Sequence, residues 1–189
     1  MIFYCKIDLM KQYSQFIFVL FVVVLMPAVS HADEKHLFVL IQERLSYMED
    51  VAVYKAQHDL PIEDKKREAI VLEKTTNAAT EVGLSPEKTI AFFKAQIALA
   101  KAIQYRLRAD MLSDNTPREA RDLKTIIRPK LIQLGKQITI GIANHLKAHG
   151  QFSQKDEKEF YRIIDVRYIT EKEKTLLFHA LKKIELSKN

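Results

Sequence analysis

From Glu34 to His58 the apolar residues Leu37, Leu40, Ile41, Leu45, Met48, Val51, Ala52 and Tyr54 recur at intervals of three and four, which places them on one face of an amphipathic helix. Such a stripe has to be buried against other helices, and the chain supplies them. A second helix is predicted from about Glu63 to Val82, carrying Ile70, Val71, Leu72, Ala78 and Ala79 and stopping at Gly83, a residue suited to a left-handed cap. Ser85 and Pro86 have the form of an N-cap followed by a first-turn proline. They open a third helix, to about Met111, through Ile90, Phe93, Ile97, Ala100 and Ile103. Thr116-Pro117-Arg118-Glu119 resembles a capping box and predicts a short helix. Because Arg128 precedes a proline, helical geometry is disfavoured there, and a helix is predicted from Pro129 to about Ala148, closed by Gly150. Ser153 and Thr170 cap two last helices, near 154–164 and 171–184. Four glycines and five prolines leave little punctuation, and no alternating strand of convincing length is found. The reading is all-α: one domain, a bundle of about six helices.

The first 32 residues are set aside from that domain. Lys6 and Lys11 precede an uninterrupted apolar run from Phe16 to Met26, and Pro27 and the small-residue site Ser30-His31-Ala32 follow. This is the pattern of a secretory signal cleaved after Ala32; the run, 11 residues long, is short of the roughly 20 that span a membrane. Cleavage leaves residues 33–189 as the helical domain, in the periplasm or outside the cell. It also removes Cys5, the only cysteine, so the mature chain has no disulfide and no thiol nucleophile. Loss of Lys6, Lys11 and Asp8 takes one charge from the formal +6. The remaining basic residues are interleaved with acids rather than blocked, which describes a solvated mixed surface rather than a nucleic-acid footprint.

Conventional reactive motifs are missing. There is no GxSxG, HExxH or glycine-rich phosphate loop. Of the five histidines beyond the leader, only His145 and His149 are four apart on one helix, and without a carboxylate or thiol at ligand spacing they read as imidazolium at a helix C-terminus rather than as a metal site. What remains is a set of polar groups where core is expected. Arg44 and Lys55 lie 11 residues apart on the stripe that holds Met48 and Val51, about 16 Å between Cα atoms at helical rise, so their long side chains can close on a small anion. Arg67 and Arg128 add two cations from other helices, and Gln104 puts an amide on an apolar face. Each has a plainer explanation: Arg44 and Arg67 as surface ion pairs with Glu43 and Glu68, Lys55 snorkelling, Arg128 at a helix end. Together they describe a pocket for a compact, multiply anionic molecule, in which arginine forks suit carboxylates.

Arg44, the step to Lys55, Leu60-Pro61-Ile62-Glu63-Asp64 with Arg67-Glu68, Gln96-Ile97, Lys101-Ala102-Ile103-Gln104-Tyr105 and Arg128-Pro129 resemble the all-helical chorismate mutases (type II fold) of the exported, periplasmic class. The resemblance runs from about Glu43 to Ile142. It implies the Claisen rearrangement of chorismate to prephenate, with no cofactor and no metal, by an enzyme that holds the dianion folded and stabilises charge on the breaking ether oxygen. By similarity, Arg44, Arg67 and Arg128 share the two carboxylates. Lys55 points at the ether oxygen and one carboxylate, and Gln104 donates to the same ether oxygen. Glu68 accepts from the ring hydroxyl, with the Asp64 backbone nearby. Where some relatives carry Ser or Thr one turn before the amide, this chain has Ala100, which implies one carboxylate hydrogen bond fewer.

Two alternatives stay open. An isochorismate pyruvate lyase of the same fold would use a similar cationic pocket. A non-catalytic periplasmic helical binding module would instead display the cations on an exposed face. The resemblance further implies a homodimer with each site built from one chain, and no nucleic-acid partner, nor a membrane one once the leader is removed.

Overall fold

In a computed structural model the residues described are 32–114 and 116–188. The proposed leader, up to His31, lies outside them. The described residues belong to one compact unit built from six α-helices. These are α1 (Ala32–Gln57), α2 (Lys65–Val82), α3 (Pro86–Ser113), α4 (Arg128–His149), α5 (Gln154–Ile163) and α6 (Glu171–Lys182), with a π-helical turn at Leu123–Ile127 leading into α4. No strand occurs among them beyond one isolated bridge, Leu84 to Leu186. The all-α bundle read from the sequence is the fold.

Helix α1 is the axis, packing on α3, α4 and α5, while α2 closes over α3 and α4. Its stripe is the core: Leu37, Phe38, Ile41, Leu45, Met48 and Val51 are buried against Phe92, Phe93, Leu134, Ile138 and Ile142 of α3 and α4. Phe38, Phe152, Phe160 and Phe178 make an aromatic plug at one end, with edge-on Phe38 and Phe160 rings 5.4 Å apart, a favoured aromatic geometry. Arg44 lies near the middle of α1 and Lys55 near its opposite end.

The punctuation is largely local. Gly83 adopts φ 76°, and its N–H reaches back to α2, so the left-handed cap is real. Ser153 and Thr170 both form reciprocal capping boxes, with Asp156 and Glu173. Three expectations need correction. Ser85 occupies the N-cap of α3, but its hydroxyl makes no cap bond; its N–H instead donates to Glu185 in the tail that pairs alongside Leu84. Thr116 to Glu119 opens no helix. The Asp114 carboxylate takes the Thr116 N–H and hydroxyl and pairs with Arg118, so the hydroxyl that would cap a helix is already engaged.

The third correction concerns Arg128, which is helical (φ −60°, ψ −44°) in spite of Pro129. The Asp122 side chain accepts from Lys124 N at 2.9 Å and Thr125 N at 2.7 Å, starting a turn in which Ile127 and Arg128 donate five residues back, to Asp122 and Leu123. A wider π turn relieves the crowding between a proline ring and the preceding helix. Helix α4 therefore begins one residue early, and Arg128 is fixed to its first turn. The segment before it is tied to α1: Gln57 Nε2 donates to Arg118 O at 2.7 Å, and Arg121 pairs with Asp50 while its guanidinium lies 4.4 Å from the Tyr47 ring centre.

Candidate active site

A cavity of about 360 Å³ opens between α1, α2, α3 and α4. All eight residues singled out from the sequence line it: Arg44, Lys55, Asp64, Arg67, Glu68, Ala100, Gln104 and Arg128. Met48, Val51, Val71, Phe93 and Ile97 supply the apolar wall. The cavity continues along α2 past Thr75 and Ala78, toward Glu81 and Lys136.

Arg44 is 8% exposed and Lys55 7%, so neither is a surface ion pair or a snorkelling side chain. Glu43, the expected surface partner of Arg44, pairs with Lys130 at 3.0 Å instead. Arg44 Nε donates to Gln96 Oε1 at 3.0 Å and Nη1 to Leu131 O at 3.2 Å, with the guanidinium 5.8 Å from the centre of Phe93. Its neighbours are thus neutral acceptors and a ring. Burial, aided by the nearby Arg67 charge, lowers its pKa to about 10, which leaves it charged at neutrality. A desolvated guanidinium without a buried carboxylate is poised for an incoming anion.

Lys55 depends on the turn that follows α1. Asp59 takes φ 52°, a left-handed conformation that aspartate tolerates better than most residues. The chain then folds back so that Leu60 N donates to Lys55 O at 2.8 Å and Lys55 Nζ to Ile62 O at 2.7 Å. Arg108 of α3 clamps the same turn through Leu60 O and Lys55 O. Burial is the largest influence on the Lys55 ammonium and lowers its pKa; Asp64 opposes this, and Arg128 and Arg108 reinforce it.

Asp64 caps α2 by accepting from Arg67 N at 2.9 Å, so α2 starts at Lys65 rather than Glu63 and Arg67 is fixed in its first turn. The other Asp64 oxygen lies 3.4 Å from Arg128 Nη2, joining the start of α2 to the start of α4. Arg67 has its pKa lowered first by burial and then by Arg128. Glu68 is held by Lys101 of α3, which bridges it at 3.2 Å and Glu63 at 3.0 Å.

Gln104 is 4% exposed. Its Nε2 donates to Ala100 O at 3.0 Å and approaches Met48 Sδ at 3.7 Å, a weak acceptor, while Oε1 is buried without a partner. An amide N–H directed only at a thioether is readily turned to a stronger acceptor in the cavity. Ala100 contributes its carbonyl to this arrangement and no side-chain hydroxyl.

Two supports escaped the sequence reading as site residues. Gln96 resembled a family position but gave no sign that it would meet Arg44, 52 positions earlier. Lys101 stood in the resemblance motif without a role of its own; the signal available was its place one turn before Gln104. His145 also departs from expectation. It is buried and stacked on Phe152 at 3.9 Å, and burial lowers its pKa, which disfavours the imidazolium form. Among the described residues no group of three or more His, Cys, Asp or Glu is arranged to hold a metal ion.

The profile of the family described as Chorismate mutase type II matches residues 32–105. A monofunctional chorismate mutase of Enterobacter agglomerans is 38% identical over 146 residues, covering 77% of this chain and 80% of its own. A secreted chorismate mutase of Yersinia pestis is 37% identical over 147 residues, covering 78% and 79%. Among solved structures, the secreted chorismate mutase from Yersinia pestis superimposes with a TM-score of 0.74 at 35% identity, over 80% of this chain and 97% of that one. The chorismate mutase from Burkholderia thailandensis gives 0.65 at 28%, over 79% and 96%. With its helices, its inward cations and these relatives in agreement, the chain belongs to the chorismate mutase type II family.

Proposed function

We infer that this protein is a chorismate mutase, an isomerase that converts chorismate to prephenate. The observation that carries the reading is the convergence of Arg44, Lys55, Arg67 and Arg128, from the three helices α1, α2 and α4, on one cavity that also holds Gln104. An exposed binding face would leave these cations in water, so the burial of Arg44 and Lys55 counts against a non-catalytic module.

The rearrangement is intramolecular. The ether C–O bond breaks as a new C–C bond forms, electrons move around a six-atom ring, and no proton is transferred. The protein therefore has to select the folded conformer and favour the charge that grows on the ether oxygen. Arg44, Arg67 and Arg128 bind the two carboxylates, and their separate helices set the angle between the two ends of the substrate. Lys55 and Gln104 converge on the ether oxygen as preorganised donors. Lys101 holds the Glu68 carboxylate, which accepts the ring hydroxyl, while the Asp64 backbone lies beside it. Ala100 leaves one carboxylate contact unmade, and its consequence is weaker substrate affinity. No cofactor takes part.

Purified residues 33–189 should consume chorismate, followed as loss of its ultraviolet absorbance, and yield prephenate. The same protein assayed with isochorismate tests the lyase alternative; pyruvate released from isochorismate with chorismate left intact overturns the mutase reading. We further propose that residues 1–32 are an export signal, in keeping with a secreted relative, and that the mature protein is a periplasmic or secreted homodimer. Mass spectrometry of the exported protein should give an N-terminus at Asp33, and light scattering should give twice the chain mass.

A further inference from the structure

Gln96 is 1% exposed and lies behind the cavity wall rather than in it. Its Oε1 accepts from Arg44 Nε at 3.0 Å, while its Nε2 is buried with no partner. A residue present only to fill core would be better apolar, because the amide brings an unmatched donor with it. What Gln96 alone supplies is an acceptor for the guanidinium edge that faces away from the substrate. With Nε held by Gln96, one Nη1 hydrogen by Leu131 O, and Phe93 nearby, the guanidinium plane has one permitted direction. Its remaining Nη hydrogens form the free edge. A glutamate here would accept equally well but would neutralise the cation.

We propose that Gln96 is a positioning residue for the mutase reaction, acting through Arg44 by fixing the guanidinium so that its free Nη edge meets a substrate carboxylate. The inference rests on the mutase reading above. Chorismate turnover by the unaltered protein tests that reading; the coupling between positions 44 and 96 tests this one.

The experiment is a double-mutant cycle with Gln96→Met, which keeps the volume, and Arg44→Ala. The readouts are kcat/KM for chorismate and the calorimetric Kd of a bicyclic ether dicarboxylate shaped like the rearranging substrate. Gln96→Met should lower kcat/KM by about tenfold or more, mainly through KM, since a hydrogen bond to a charged group is removed. In the Arg44→Ala background the same change should cost less than about twofold. Gln96→Glu should also weaken dicarboxylate binding in the native background, while leaving it nearly unchanged once Arg44 is absent. Equal losses in both backgrounds, in either readout, mean that Gln96 supports the fold alone, and overturn the proposal. Full activity of Gln96→Met overturns it as well. Gln96→Leu is the second variant should the methionine form misfold; loss of helical circular dichroism in both marks Gln96 as a structural residue and sinks the idea.

Discussion

Replacing Lys55 by Ala tests the proposed chemistry most directly. Lys55 is 7% exposed and its ammonium is anchored to Ile62 O at 2.7 Å, so it is oriented before substrate arrives and little reorganisation is needed in the reaction. At an effective dielectric constant of about 20, two unit charges about 4 Å apart interact by about 4 kcal/mol. If about half a charge develops on the ether oxygen, Lys55 contributes about 2 kcal/mol by the same scaling. Loss of a preorganised donor to a growing oxyanion costs about 2.7–4 kcal/mol elsewhere. The first route gives a fall in kcat of about 30-fold and the second about 10²–10³-fold, so the expected loss is between about 30-fold and 10³-fold. Lys55→Met separates charge from volume and should fall nearly as far. Both variants leave Ile62 O without its donor but also remove a desolvated cation, so thermal unfolding should move little. Continuous absorbance assays on folded protein give the answer. An unchanged turnover number in Lys55→Ala would refute the assignment of the ammonium to the ether oxygen.

Gln104→Glu should be active only in acid, because a carboxyl must hold its proton to donate, whereas the amide keeps the native rate nearly flat around neutrality; equal rates for the variant at pH 5 and pH 8 would remove Gln104 from the mechanism. Arg44→Ala should raise KM and lower kcat together, measured in steady state, since carboxylate contacts both hold and orient the substrate. Lys55 has its pKa lowered chiefly by burial, so kcat/KM should decline on the alkaline side at a pH below 10.5. A bound dianion favours the ammonium, so the kcat limb should lie higher. Asp122→Ala removes the cap of the π turn and should cost about 0.5–2 kcal/mol in chemical denaturation, with a rise in KM because Arg128 loses its fixed start. Glu173 is held down to about 2 by its hydrogen bond to Arg106. It thus contributes stability above the ordinary carboxylate range that is lost as pH falls through that range toward 2. Arg106→Met should unfold at a higher pH in an acid titration.

Where the fold was legible, the reason is local. The α1 stripe is a periodicity that any window of the chain displays, and Gly83, Ser153 and Thr170 act on backbone groups within a few residues. The failures also have local rivals. Thr116 is claimed by Asp114 two residues earlier, and the rule against a helical residue before proline yields at Arg128 to a π turn that Asp122 starts and the ties to α1 hold in place. Spacing placed Arg44 and Lys55 on one face of α1, the polar residues at core positions added Arg67, Arg128 and Gln104, and the resemblance supplied Asp64, Glu68 and Ala100. Neither indicated that Arg44 would be buried against an amide and a carbonyl instead of meeting Glu43.

By itself the sequence determined most of the helices and several of their caps, and that cations interrupt an apolar stripe, since both follow from dihedral preferences and contacts a turn or two apart. Tertiary structure decided which way those cations face. Gln96, Leu131 and Ile62 reach them only when α1, α3, α4 and the turn before α2 pack together. Desolvation of a charge depends on every atom around it rather than on its neighbours along the chain.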